Sequence, residues 1–210
     1  DKCVGCGTCM VGCMAENNVP FREDDTDKLL SVAWMRVYRL TNGKPYPDTE
    51  ECFLPRPCQQ CEGHAGHSPC VSVCPATATD YDMDTGIVSQ IYTRCFGCRY
   101  CMAACPYHVR QFNWWDPVWP DGMERSLNPN VSVRMRGIVE KCSFCIHRYQ
   151  LAKEKAYADG RREIEEGEYQ TACTQACPAG AITFGDLNNP KHAVHQMVRP
   201  DLKHGGKSKN

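Results

Sequence analysis

Hydrophobic and polar positions along this chain repeat over short distances only. The run Val32–Leu40 (V-A-W-M-R-V-Y-R-L) is rich in β-branched and aromatic residues and predicts a strand. Thr79–Met83 and Ile87–Tyr92 are two further extended runs, and Asp84-Thr85-Gly86 between them predicts a β-hairpin. Phe144–Ala158, with Ile146, Tyr149, Leu151 and Ala152, predicts a helix; Cys9–Glu16 predicts a shorter helical turn and Ala181–Phe184 a short strand. Residues 41–57 carry Gly43, Pro45, Pro47, Pro55 and Pro57 and are expected to form an irregular connection. Residues 112–135 are aromatic and Pro-rich without clear periodicity, which predicts a packed loop. Glu23–Lys28 and Asp159–Glu168 are charged and expected to be exposed, and the tail from Asp201 (D-L-K-H-G-G-K-S-K-N) is expected to be mobile or draped on a partner. No stretch approaches 18 consecutive apolar residues, so no transmembrane helix is predicted.

At 210 residues the chain fits one domain or two small ones. The hydrophobic fraction of 42% includes all 17 cysteines, so the aliphatic and aromatic core is thin. The formal charge of −1 gives no indication of nucleic acid or anionic lipid as a partner.

The cysteines change this picture. Sixteen of the 17 fall into four groups of four: Cys3/Cys6/Cys9/Cys13, Cys58/Cys61/Cys70/Cys74, Cys95/Cys98/Cys101/Cys105 and Cys142/Cys145/Cys173/Cys177. Three groups close on Cys-Pro, and the third reads C-x2-C-x2-C-x3-C-P, the bacterial ferredoxin run for cubane clusters. Disulfides fit poorly, because the total is odd and cysteines at successive three-residue steps would make strained, redundant bridges. Zinc is the stronger competitor, above all for the fourth group, where Cys145 and Cys173 are far apart in sequence. Zinc has no use, however, for a third cysteine at the same step or for the proline after the fourth. Soft thiolates used four times in this pattern point to four [4Fe–4S] clusters.

In paired ferredoxin motifs the last cysteine ligates the partner cluster. Pairing motif one with four gives Cys3, Cys6, Cys9 with Cys177, and Cys142, Cys145, Cys173 with Cys13. Pairing motif two with three gives Cys58, Cys61, Cys70 with Cys105, and Cys95, Cys98, Cys101 with Cys74. The ligands follow from the spacing; the pairing is an inference from the order of motifs. Gly5, Gly7 and Gly97 sit between ligands where the backbone must curl tightly, and Pro75, Pro106 and Pro178 end the local helix after the last ligand.

Sixteen thiolates around four oxidised cubes add roughly eight negative charges. Arg94, Arg99, Arg110, Lys141 and Arg148 lie beside the ligands and are candidates to offset them, with solvated surface residues as the plain alternative. Cys52 is the leftover thiol and reads as a buried, inert side chain. His64 and His67, in the insertion E-G-H-A-G-H-S-P of motif two, read as loop histidines rather than ligands. Tyr107, Phe112, Trp114, Trp115 and Trp119 after motif three read as packing around a cluster, or as a docking face. Asp1-Lys2 leave no room for a strand before the first motif, so the N-terminus reads as trimmed or cut from a longer polypeptide.

The sequences C-V-G-C-G-T-C-M-V-G-C, P-C-V-S-V-C-P with D-x-D-T-G-I-V, R-C-F-G-C-R-Y-C-M-A-A-C-P-Y, and E-K-C-S-F-C-I-H-R with T-A-C-T-Q-A-C-P-A-G-A-I-T-F-G-D-L resemble one family over nearly the whole chain. It is the four-cluster iron–sulfur subunit of the polysulfide/dimethyl-sulfoxide reductase type, which includes subunits of periplasmic menaquinone reductase and alternative complex III. The resemblance implies a wire between a large molybdopterin-type (or related) redox subunit and an integral-membrane quinone-binding subunit, with a multihaem cytochrome c as a further candidate partner. It places the cluster of Cys3/Cys6/Cys9/Cys177 toward the redox subunit and that of Cys95/Cys98/Cys101/Cys74 nearest the quinone. It also implies attachment to the membrane through partners, on the periplasmic face. Some relatives carry one [3Fe–4S] cluster; the full set of sixteen cysteines here predicts four cubanes.

The expected fold class is α+β: two irregular, loop-rich ferredoxin-like modules, the second nested in the first. The outer module would comprise 1–57 and 137–200, the inner 58–136, and 201–210 the polar tail. No nucleophile–base pair or nucleotide-binding loop is apparent, so a non-catalytic electron-transfer subunit is the leading reading. A soluble polyferredoxin and a structural metal-binding module are the alternatives. Because the clusters stand in for a hydrophobic core, chelating the iron is expected to abolish the far-ultraviolet circular-dichroism signature of the fold; an unchanged spectrum would contradict that dependence.

Overall fold

A computed structural model describes residues 2–20, 32–61 and 68–198 of the chain. The fold is a mixture of short helices and small sheets joined by long irregular stretches. Helix α1 (Thr8–Glu16) opens the described chain. Strands β1 (Arg36–Thr41) and β2 (Glu51–Arg56) form an antiparallel ribbon in which Arg36 faces Arg56 and Thr41 faces Glu51. A four-residue helix α2 (Pro69–Ser72) precedes the hairpin of β3 (Thr79–Tyr81) and β4 (Val88–Gln90). Helix α3 (Tyr100–Ala104) is followed by β5 (Gln111–Phe112), which pairs antiparallel with β6 (Val139–Glu140) across the intervening loop. Helices α4 (Ile146–Ala158), α5 (Ala172–Gln175) and α6 (Ala193–Val198) complete the order.

Four expectations from the pattern need correction. Residues 41–57 are not irregular throughout, since 51–56 form β2. Pro55 is tolerated there because each strand of a two-stranded ribbon has an unpaired edge, where a missing N–H costs nothing. The first strand starts at Arg36, not Val32, and Trp34 and Met35 before it are buried instead. Ala181–Phe184 is not a strand. The Ala181 N–H bonds the Cys177 sulfur at 3.2 Å, and Phe184 packs edge-on against Phe144 and Tyr169. Finally, Cys52 is exposed on β2 opposite Leu40, not buried. The β-hairpin and the long helix form close to where the pattern puts them. The helix begins two residues late because Phe144 and Cys145 are left-handed. Residues 23–28, His64, His67 and the tail 201–210 lie outside the described residues.

Cysteine is the commonest residue of the buried interior, nine of its twenty hydrophobic side chains among the described residues. One group of buried side chains joins Cys9, Cys13, Cys58, Cys142 and Cys173 to Val19, Trp34 and Met35. A second joins Cys70 and Cys101 to Val88 and Val139. Helix α1 packs on α5 so closely that a β-carbon at Gly12 would lie 2.8 Å from that of Ala176. Residues near the two ends of the chain are thereby neighbours, while α2 packs on α3.

Polar side chains hold the loop over 112–135. Asn18 donates to the carbonyls of Asn128 (2.9 Å) and Val131 (2.7 Å) and accepts from the Asn128 N–H at 2.8 Å. Arg134 is fully buried, pairs with the equally buried Glu140, and donates to the carbonyls of Ser132 and Asn18. Its guanidinium also lies over the rings of Trp34 and Tyr92, at 4.9 and 5.7 Å. A buried ion pair contributes less by its own attraction than is lost when one member is left alone. Arg134→Met is therefore expected to destabilise the holoprotein by about 3–5 kcal/mol in denaturant unfolding, and Arg134→Met/Glu140→Leu by clearly less. Equal losses in the single and double variants would mean that the pair does not act as a unit.

Candidate metal centres

The four cysteine loops are built on one local device. In each C-x2-C step the residue before the second cysteine has a positive φ: Gly5 (70°), Gln60 (53°), Gly97 (76°) and Phe144 (53°). This left-handed residue reverses the chain so that both sulfurs face the same side. Glycine is required where space is also short. A β-carbon at Gly97 would sit 2.1 Å from the Gly137 carbonyl oxygen, and one at Gly5 would meet the Phe53 ring at 2.6 Å.

The loops then divide into two kinds. In the first and third, the residue after the second cysteine (Gly7, φ 74°; Arg99, φ 64°) is also left-handed and starts the helix that carries the third, Cys9 or Cys101. In the second and fourth, the second cysteine itself is left-handed, at 51° for Cys61 and 54° for Cys145. The Cys-Pro exits are alike in all three places. The carbonyls of Cys74, Cys105 and Cys177 accept from Thr77, His108 and Gly180, each at 3.2 Å. After Cys74 and Cys177 the Ala78 and Ala181 N–H groups donate to the cysteine sulfurs, both at 3.2 Å.

The tertiary structure gathers sulfurs from distant parts of the chain. An open hollow is lined by Cys3, Cys6, Cys9 and Cys177, with Val37, Pro55 and Ile182 as walls. A second is lined by Cys74, Cys95, Cys98 and Cys101, with Phe96 and Val139. Burial pushes the Cys13 thiol well above its ordinary range, and the nearby sulfurs of Cys142, Cys145 and Cys173 push it further. Burial likewise raises Cys61, with Cys70, Cys58 and Cys105 as its sulfur neighbours. Cys142 is pushed up to about 12, first by burial and then by Cys58. Among the described residues no three side chains converge as a lone metal ion requires; the sulfurs are spread around volumes instead.

Successive groups lie within electrostatic reach of one another: Cys9 of Cys173, Cys142 of Cys58, and Cys101 of Cys70. The two end groups each have one exposed cysteine, Cys6 and Cys98, whereas none of the cysteines between them is exposed: Cys61 is half-buried and the others are buried.

This environment suits a polynuclear cationic group. Buried thiols next to one another resist ionisation, and a bound metal reverses that preference by deprotonating them outright. Donors are already directed at the sulfurs: Val139 N–H at Cys95 (3.4 Å), Phe144 N–H at Cys142 (3.4 Å) and Ala172 N–H at Cys145 (3.5 Å). Asn17 Nδ2 lies 3.7 Å from both the Cys13 and Cys145 sulfurs. Arg110 is buried with its Nε and Nη2 lacking an oxygen or nitrogen acceptor, on the side where the Cys70 and Cys101 sulfurs lie. All-sulfur donor sets with N–H groups turned toward them are the surroundings that iron–sulfur clusters use.

The five basic residues beside the ligands separate into distinct roles. Arg110 and Lys141 are buried. Arg148 is held by Glu16 at 2.6 and 2.7 Å, and that contact keeps the Glu16 carboxyl at about 2, below the usual carboxylate range. Arg99 stacks on Phe112 (5.3 Å) and Trp114 (5.0 Å), whose rings meet edge-on at 4.6 Å. Arg94 is exposed. Of the aromatic set, Tyr107 stacks with Arg56 at 5.4 Å, Trp115 is half-exposed and Trp119 is partly buried. Gln60, Gln90 and Asn17 emerge only from the structure. They are ordinary amides in sequence, with no motif to set them apart.

Residues 49–120 match the 4Fe-4S dicluster domain family. The chain is 58% identical over 199 residues to the iron-sulfur cluster-binding subunit of menaquinone reductase from Nitratidesulfovibrio vulgaris, covering 94% of this chain and 76% of that protein. It is 39% identical to the iron-sulfur subunit 1 of an Hdr-like menaquinol oxidoreductase from Archaeoglobus fulgidus, over 92% of this chain and 65% of that protein. It is 37% identical to a putative dimethyl sulfoxide reductase iron-sulfur subunit from Halobacterium salinarum, over 94% of this chain and 68% of that protein. With its loops, its sulfur-lined hollows and this degree of identity, the chain belongs to the family of ferredoxin-like iron–sulfur subunits of the polysulfide/dimethyl-sulfoxide reductase type.

Proposed function

We propose that this chain is the electron-transfer subunit of a quinone-linked oxidoreductase and carries four [4Fe–4S] clusters in line. The observation that carries the reading is the succession of sulfur groups, with no exposed cysteine in the middle and one at each end, Cys6 and Cys98. A wire needs that pattern. Its inner centres must be insulated from solvent, and its end centres must come close to a partner. The ligand sets would be Cys3, Cys6, Cys9 and Cys177; Cys13, Cys142, Cys145 and Cys173; Cys58, Cys61, Cys70 and Cys105; and Cys74, Cys95, Cys98 and Cys101. Two of these sets coincide with the linings of the two hollows, and the other two with the sulfur neighbourhoods of Cys13 and Cys61.

When bound, such clusters supply one-electron redox centres. The chain fixes their spacing, shields them from water and directs N–H donors at their sulfurs. Two nested modules fit this arrangement. Motifs one and three share one loop geometry and motifs two and four the other, so each proposed pair combines one of each kind, in opposite order along the chain. The contact of α1 with α5 and of α2 with α3 supports the same division.

The named relatives in menaquinone and menaquinol oxidoreductases favour a quinone-linked complex. We place the Cys3 end toward a large molybdopterin-type or related redox subunit, or a multihaem cytochrome c. The Cys98 end then faces a membrane subunit that binds the quinone, on the periplasmic face. No helix among the described residues is long and apolar enough to cross a membrane, so attachment would run through partners. Purification from native membranes is expected to recover the chain with a redox subunit and a membrane subunit, and potentiometric electron paramagnetic resonance to resolve four cubane clusters. Elution as a free monomer would favour a soluble shuttle, and a three-iron signal in the isolated complex would overturn the count of four cubanes.

A further inference from the structure

Two cations are buried where one sulfur group gives way to the next. Lys141 is 1% exposed and Arg110 is 3% exposed. Among the described residues neither is paired with a carboxylate, whereas Arg148, nearby in sequence, is paired with Glu16. A buried charge without a counter-charge is strongly disfavoured, so something anionic must face each of them when the protein is loaded.

Lys141 spends its three protons on neutral acceptors: Gln60 Oε1 at 3.3 Å, the Cys142 carbonyl at 2.7 Å and the Val88 carbonyl. Gln60 is itself fixed, donating to the Cys142 carbonyl at 3.1 Å and accepting from the Val88 N–H at 2.9 Å. The ammonium is thereby locked between Cys142 of one group and Gln60, the chain neighbour of Cys61 in the next. Arg110 has a similar setting one step further on. Its Nη1 donates to Gln90 Oε1 at 2.8 Å, an oxygen that also accepts from the Thr79 hydroxyl at 3.0 Å. Its Nε and Nη2 have no oxygen or nitrogen acceptor and lie toward the sulfurs of Cys70 and Cys101, again from successive groups. Two unrelated side chains thus hold a fixed positive charge at two successive junctions.

We propose that Lys141 and Arg110 are potential-setting residues, each shared by the two clusters it separates and raising the reduction potential of both. This rests on the reading of four clusters in line and adds what tunes them. Each cluster takes up one electron from its donor and so becomes more negative by one charge. A fixed cation beside it favours that state, and in a dry interior the effect is little screened. Lys141 would act on the clusters of Cys13/Cys142/Cys145/Cys173 and Cys58/Cys61/Cys70/Cys105. Arg110 would act on the latter and on that of Cys74/Cys95/Cys98/Cys101. The cluster of Cys3/Cys6/Cys9/Cys177 borders neither cation and serves as an internal reference.

The test is a potentiometric electron paramagnetic resonance titration of the intact complex, with iron quantified, for wild type, Lys141→Gln and Arg110→Gln. Each neutral variant is expected to shift its own pair of clusters to lower potential by about tenfold in the reduction equilibrium, about 59 mV for a one-electron couple. The Cys3/Cys6/Cys9/Cys177 cluster stays in place in both. Unchanged potentials, or a uniform shift of all four clusters, would overturn the proposal. Should a neutral variant lose iron, the charge-keeping Lys141→Arg and Arg110→Lys decide. The proposal expects both to retain the full iron content with the wild-type order of potentials, and loss of iron in these as well would overturn it. Fewer than four clusters in wild type would instead contradict the underlying reading.

Discussion

Burial raises the Cys13 thiol well above its ordinary range, and the sulfurs of Cys142, Cys145 and Cys173 raise it further. Such thiols stay neutral when no metal is bound, whereas a cationic metal group converts them to thiolates and binds them at once. The arrangement of the short elements around them is the constraint that the rest of the structure shares. Among the described residues the sheets are two-stranded ribbons and hairpins, three of the six α-helices have five residues or fewer, and cysteine is the commonest buried residue. Elements of this size bury too little apolar surface to fold alone.

Given that constraint, the backbone has one recurrent task, which is to turn sulfurs inward within a few residues. Left-handed positions at Gly5, Gln60, Gly97 and Phe144 do this in all four loops. Only two of these are glycines. At Gly97 and Gly5 a neighbouring carbonyl or ring stands where a β-carbon would go, whereas Gln60 and Phe144 use their side chains elsewhere. Gln60 bridges to Cys142, and Phe144 packs against Phe184. The same strained conformation is thus met by glycine where space is short and by a working side chain where it is not.

Charge is handled as locally as geometry. Arg148 is balanced by Glu16 and Arg134 by Glu140, so neither has a full charge left over. Lys141 and Arg110 have no such carboxylate among the described residues; Lys141 is held by carbonyls and Gln60 beside Cys142, and Arg110 lies toward the sulfurs of Cys70 and Cys101. Electrostatic function in this fold follows from which cations are left unpaired inside it.

The cysteine spacing made the ligand type, the loop turns and the family legible from residues alone, because a C-x2-C step is a local device whose parts lie within a few positions. The hairpin at 79–92 and the helix after Cys145 were legible for the same reason. Strand β2 was not, since Pro45, Pro47 and Pro55 read as a breaker until Arg36–Thr41 supplied a partner. The supposed strand at Ala181–Phe184 failed for lack of one, and Cys52 was misplaced because its burial depended on that ribbon. The order of motifs allowed a guess at which sulfurs share a site. Only the tertiary structure brings Cys177 to Cys3 and Cys74 to Cys95, sets the groups in succession, and separates buried Lys141 and Arg110 from exposed Arg94. Those facts join positions tens of residues apart or more. They are decided by burial and by the neighbours each side chain finds, and no local pattern carries that information.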